Sequence, residues 1–212
     1  TSKSIDNTIQ AEGDGADIVL VVNPYYNKPT QTGLYLHFEA VAKATKLPVV
    51  LYNIKGRTGV NLETDTLLKL SNNYSNIVAV KEASGDKEQI LDVCSRRREG
   101  FLVLSGDDGL TCEIMKEGGA NGVISVASNI MPNEVNKMVQ FAMQGNWSEA
   151  ENLNNNLKRL FSDIFLETNP TPAKYILAQM GLCQNVFRLP MCPVSDGCAV
   201  KLDETLIHYN LK

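Results

Sequence analysis

A chain of 212 residues, 43% hydrophobic and 21% charged with no low-complexity tract, has the apolar content for a sizeable core, which excludes a disordered or fibrous protein. A net charge of -4 argues against nucleic acid or an anionic membrane surface as main partner, and the one basic cluster, Arg96-Arg97-Arg98, reads as the solvated end of a helix. No apolar run approaches the roughly 18 to 20 residues that cross a bilayer, and no signal-peptide pattern opens the chain, so a cytoplasmic protein is expected.

In chain order, Thr1 to Gly15 reads as a helix, with Ile5 and Ile9 four apart and Gly13 and Gly15 closing it. Short apolar runs then alternate with amphipathic segments. Strands are expected over Asp17 to Asn23, Pro48 to Asn53, Asn76 to Lys81, Phe101 to Ser105 and Asn121 to Val126. Helices are expected over Thr32 to Thr45, Glu63 to Asn72, Lys87 to Arg97, Gly109 to Glu117 and Asn133 to Gln144. Each crossover is too long for a hairpin, so the strands should run parallel in successive βα units. An open doubly wound sheet would favour a Gly-x-Gly-x-x-Gly loop after a strand, and none is present, so part of a (βα)8 TIM barrel is expected over residues 1–145. After Gly145 the strand signal stops. Trp147 to Glu167, Thr171 to Met180 and Asp203 to Leu211 read as helices, giving a C-terminal helical domain over 146–212.

Polar chemistry falls at the strand ends: Tyr25-Tyr26, Tyr52, Lys81, Gly106-Asp107-Asp108 and Ser125 to Asn129. In a barrel these ends converge on one mouth. The run Ile77-Val78-Ala79-Val80 ends on Lys81, where an amine against apolar walls is easier to deprotonate, and a neutral amine attacks a keto carbon to form a Schiff base. Simpler roles stay open: Tyr52 as a core tyrosine, Arg57 as a solvated loop residue, Asp107 or Asp108 as a helix cap. Five widely spaced cysteines without a Cys-x-x-Cys pair fit reduced thiols, and His37 and His208 belong to no ligand-like cluster, so no metal is expected.

The ordered set Asn23-Pro24-Tyr25-Tyr26-Asn27, Leu51-Tyr52-Asn53, Gly56-Arg57-Thr58-Gly59, Val80-Lys81-Glu82-Ala83-Ser84-Gly85, Ser105-Gly106-Asp107-Asp108 and Gly122-Val123-Ile124-Ser125 resembles the dihydrodipicolinate synthase (4-hydroxy-tetrahydrodipicolinate synthase) family, in the N-acetylneuraminate lyase superfamily of class I pyruvate aldolases. Asn169-Pro170-x-Pro172-x-Lys174 and Arg188-Leu189-Pro190-Met191 extend the resemblance into the tail. It implies a lyase of lysine and diaminopimelate biosynthesis that condenses pyruvate with L-aspartate 4-semialdehyde. No cofactor is implied beyond the covalent pyruvate Schiff base on Lys81. Tyr52 matches the tyrosine that shuttles protons, and Tyr26 a partner tyrosine that crosses a dimer interface. Arg57 matches the arginine that receives the semialdehyde carboxylate. Gly106, Asp107 and the Ile124 backbone match the aldehyde-binding side, and Tyr25 a contact of the lysine effector site. A homo-oligomer, a dimer of dimers, is implied, with neither nucleic acid nor membrane as partner.

Two departures from the family pattern stand out. Lys55 replaces the usual proline of the loop before Arg57, which removes a φ constraint. The family barrel has eight strands, and the sequence reads as an N-terminally truncated barrel lacking about the first three βα units, together with the Thr-Thr strand end of the proton relay; an isolated chain of this kind is expected to have little activity. Two other readings are an N-acetylneuraminate lyase or 2-keto-3-deoxy sugar acid aldolase, and a non-catalytic truncated paralogue that oligomerises.

Overall fold

A computed structural model describes residues 1–212. Its elements are α1 (Ser2–Gly13), β1 (Val19–Val22), α2 (Gln31–Lys43), β2 (Val49–Asn53), α3 (Lys55–Thr58), α4 (Thr64–Asn73), β3 (Ile77–Glu82), α5 (Lys87–Arg96), β4 (Leu102–Ser105), α6 (Asp108–Gly118) and β5 (Gly122–Val123). After a 3-10 turn at Ala127–Asn129 come α7 (Pro132–Met143), α8 (Trp147–Asp163), α9 (Thr171–Gln179) and α10 (Asp196–His208).

The five strands form one parallel sheet in sequential order, β1-β2-β3-β4-β5. A doubly wound sheet reverses its order at a switch point, and this one does not, so the arrangement is that of consecutive barrel units. By compactness the chain divides into Thr1–Ile124, which holds the whole sheet, and Ser125–Lys212. That division falls ahead of the boundary expected near Gly145, because α7 packs against α8.

Within the first unit the two sheet faces differ. Val19, Val21, Val49, Leu51, Val80 and Val103 are buried. The opposite face carries Leu20 beside Val50, and Val22 beside Tyr52 beside Lys81 beside Leu104. It is more open: Leu20 is 47% and Leu102 42% exposed. The helices start where the sequence supplies caps. Thr30, Asp86 and Asp107 accept from the backbone N–H of Gly33, Gln89 and Leu110, each cap contributing about 1 kcal/mol. The basic cluster is more than a solvated helix end. Arg96 pairs with Asp92 and Asp65, Arg97 donates to Asn121 Oδ1 and Gly119 O, and Arg98 donates to Ser71 O and Ile77 O. The guanidinium groups thus fasten backbone carbonyls of α4 and β3 and of the segment after α6.

The second unit is helical throughout. Leu157, Leu160 and Ile164 of the α8 stripe are buried with Ile176, Leu202 and Leu206. The Tyr209 hydroxyl donates to Asn156 O at 2.8 Å and accepts from Leu160 N–H at 3.2 Å, tying the end of α10 to α8. The last helix begins at Asp196, seven residues before the expected Asp203, because Ser195 caps it by accepting from Cys198 N–H. No helix is long and apolar enough to cross a membrane, and all five cysteines are free thiols.

Candidate active site

Parallel pairing of β2 with β3 sets Tyr52 opposite Lys81 and Asn53 opposite Glu82. Side chains alternate along a strand, so Tyr52 and Lys81 share one face while Asn53 and Glu82 point to the other. Lys81 Nζ lies 4.2 Å from the Tyr52 ring centroid, a cation–π distance at the C-terminal edge of the sheet. Burial pushes the Lys81 amine below the usual lysine range; the charge of Asp108 opposes this, that of Arg57 adds to it, and the net shift is downward. Burial raises the Tyr52 phenol, partly offset by Arg57, so the hydroxyl holds its proton. The pair is therefore an amine whose deprotonation burial favours beside a phenol whose deprotonation burial disfavours.

Gly106 follows β4 and closes the site from the next strand. Its N–H donates to Glu82 O at 2.8 Å, and a Cβ there would stand 2.5 Å from Ala83 Cβ and 3.1 Å from Lys81 Cε. No larger residue fits without displacing the lysine or its neighbour. Asp107 caps α6 through Leu110 N–H at 3.1 Å, and its own N–H donates to Ser105 Oγ at 3.1 Å. The Ile124 N–H donates to Ser105 O at 2.9 Å.

Arg57 is exposed and lies in α3, a helical turn closed by Gly59 at φ 73 and pinned by Thr58 Oγ1, which donates to Ile54 O at 2.9 Å. Lys55 forms the first residue of that turn, its carbonyl accepting from Gly59 N–H at 2.9 Å, so the turn is made without proline. Tyr25 and Tyr26 lie on the loop after β1, 70% and 89% exposed, with Tyr26 in the left-handed region at φ 73. Left-handed backbone is uncommon for a bulky residue and holds the ring out from its own chain.

Sequence reasoning did not single out the polar layer behind the site. Glu82 is fully buried and accepts from Ser84 N–H at 2.8 Å, Asn53 Nδ2 at 3.1 Å and Gln89 Nε2 at 3.4 Å. Asn53 Oδ1 accepts from Asn23 Nδ2 at 2.8 Å and Leu62 N–H at 2.9 Å. A signal was present in the alternation itself: the residue after each of Tyr52 and Lys81 is polar, Asn53 and Glu82, on the face that otherwise carries buried Leu51 and Val80.

Sequential parallel βα units with their polar side chains at the C-terminal strand ends define a protein of the TIM-barrel class. The chain belongs to the dihydrodipicolinate synthetase family, whose model matches residues 1–208. It is 50% identical over 190 residues to a 4-hydroxy-tetrahydrodipicolinate synthase of Koribacter versatilis, covering 90% of this chain and 63% of the relative. It is 44% identical over 211 residues to that of Aquifex aeolicus, covering 100% of this chain and 71% of the relative. A crystal structure of dihydrodipicolinate synthase from Thermotoga maritima superposes with a TM-score of 0.97 at 38% identity, covering 100% of this chain and 72% of that one. Another, from Cyanidioschyzon merolae with lysine bound, superposes at 0.94 and 38% identity, covering 98% and 70%. The chain thus spans about two thirds of the length of these relatives.

Proposed function

We propose that this chain carries the Schiff-base half of a 4-hydroxy-tetrahydrodipicolinate synthase, joining pyruvate to L-aspartate 4-semialdehyde without an external cofactor. The observation that carries the reading is the Lys81 amine 4.2 Å from the Tyr52 ring, lowered in pKa by burial and walled by Gly106. The neutral amine attacks the keto carbon of pyruvate, the carbonyl oxygen leaves as water, and an imine forms. Loss of a methyl proton gives the enamine, whose carbon adds to the aldehyde carbon of the semialdehyde as the new C–C bond. Tyr52 gives its phenolic proton to the departing carbonyl oxygen, and the phenolate left behind takes the methyl proton and passes it to the aldehyde oxygen as the C–C bond forms. Arg57, on its short helical turn, supplies the planar fork for the semialdehyde carboxylate.

Further roles follow from the same reading. Gly106, Asp107 and the Ile124 backbone line the aldehyde side. Tyr26, held out at φ 73 and 89% exposed, reaches into a neighbouring subunit of a homo-oligomer, and Tyr25 beside it is the effector-site residue. The barrel segment runs over 1–145 and the helical domain over 146–212, in a cytoplasmic enzyme. Supplying purified protein with pyruvate and aspartate semialdehyde, against N-acetylneuraminate or 2-keto-3-deoxygluconate as cleavage substrates, tests the assignment. Condensation without cleavage is expected, at the low rate expected of a barrel lacking about three units; cleavage of either sugar acid without condensation would transfer the chain to a sister activity.

A further inference from the structure

The buried carboxylate of Glu82 is an ionisable group that the proposed chemistry does not use. It lies behind the strand end that carries Lys81, wholly out of solvent, with neutral donors around it. One oxygen accepts from Ser84 N–H at 2.8 Å and the other from Asn53 Nδ2 at 3.1 Å and Gln89 Nε2 at 3.4 Å. Burial pushes the Glu82 carboxyl above the usual carboxylate range, while the donors from Ser84, Asn53 and Gln89 oppose this; in its ionised form, at mildly alkaline pH, it only accepts, so the edge of Asn53 that faces it must be the amide NH2. That leaves Asn53 Oδ1 for the other side, where it takes Leu62 N–H at 2.9 Å and Asn23 Nδ2 at 2.8 Å, while Nδ2 also reaches Asn61 Oδ1 at 2.9 Å. Gln89 adds a second tie, accepting from Asn61 Nδ2 at 2.6 Å and donating to Leu62 O at 3.2 Å. Asn61 and Leu62 close the 54–62 segment, whose start is fixed as the last residue of β2 gives way to the turn bearing Arg57.

We infer that Glu82 and Asn53 act together as positioning residues: the acceptor-only side chain of Glu82 fixes the Asn53 amide, and that amide anchors the 54–62 segment and with it the stance of Arg57 toward the second substrate. The inference rests on the reading of Arg57 as the carboxylate-binding residue. Glu82→Gln is nearly isosteric and keeps one acceptor, but its NH2 must face a donor, either Ser84 N–H or the Asn53 and Gln89 amides. Glu82→Met removes both acceptors, so the Asn53 amide loses the contact that fixes its orientation.

Hydrogen exchange of the 54–62 segment, followed by mass spectrometry on the full chain at mildly alkaline pH, reads this directly. Glu82→Met is expected to speed exchange there about tenfold, and Glu82→Gln, which keeps one acceptor, to speed it less. Gln89→Ala, a milder change at a half-buried position, is expected to give a smaller acceleration confined to 61–62, and it decides the matter if Glu82→Met does not fold. In turnover, Glu82→Met should raise KM for the semialdehyde about tenfold with KM for pyruvate little changed. Unaltered exchange in Glu82→Met or Gln89→Ala would overturn the inference. Failure of pyruvate to label Lys81 in the unaltered protein would instead remove the Schiff-base reading, and the exchange arm would still decide the role of Glu82.

Discussion

At the scale of single residues, the reactivity of Lys81 is set by burial and two charged neighbours, contributions of different sign. Burial disfavours the ammonium, Asp108 favours it, and Arg57 disfavours it. The rate of pyruvate capture tracks the neutral amine, so its pH midpoint should lie below the ordinary lysine value of about 10.4. Asp108→Asn removes the one stabilising charge and should move the midpoint lower; Arg57→Ala removes a like charge and should move it higher. A titration of capture rate against pH in the three proteins checks both signs, and shifts in the reverse sense would show that the field at the amine has another origin. Tyr52→Phe keeps the ring under Lys81 but deletes the proton, so turnover should fall by about 10²- to 10⁴-fold while the fold persists. Asp107 has two jobs to separate. Asp107→Ala should lower stability by about 1 kcal/mol through the lost cap, whereas Asp107→Asn, an equally good cap, should leave melting unchanged. Any loss of turnover in the Asn variant then belongs to the site.

At the scale of elements, the register of β2 on β3 does most to assemble the site, because it puts Tyr52 and Lys81 side by side on one face. The neighbouring strand end at Gly106 sets how closely that pair is walled. Gly106→Ala brings a methyl group to 2.5 Å from Ala83 Cβ and 3.1 Å from Lys81 Cε, so it should cost about 1–3 kcal/mol of stability and depress pyruvate capture. Wild-type capture by this variant would mean the strand ends shift apart freely. Much of this level was legible beforehand: apolar runs ending in Tyr52, Lys81 and Gly106 mark the strands, and long crossovers make them parallel. The Asn53–Glu82 layer was not, since its meaning depends on which side chains face the helices, and a one-residue difference in register reverses that. The turn over Lys55–Thr58 was hidden for a different reason: a single turn is too short for periodicity to register. Strand β5 was overcalled, because the apolar residues of Asn121 to Val126 continue past the two that pair with β4.

At the scale of the whole molecule, the face that carries the site is exposed at Leu20 of β1 and Leu102 of β4, while Val50 and Ala79 between them are buried. The outer strands β1 and β5 each have one hydrogen-bonded neighbour in this chain. Exposed apolar edge strands invite pairing with other chains. The 212-residue protein is therefore expected to associate in a concentration-dependent way, and Leu20→Lys to reduce that association in sedimentation; an unaltered monomer in both proteins would contradict it. The central claim, however, concerns one amine. Borohydride reduction in the presence of pyruvate, followed by peptide mass spectrometry, should place a pyruvate-derived mass on Lys81 and on no other lysine. A folded protein that acquires no such mass, or acquires it elsewhere, would contradict the account.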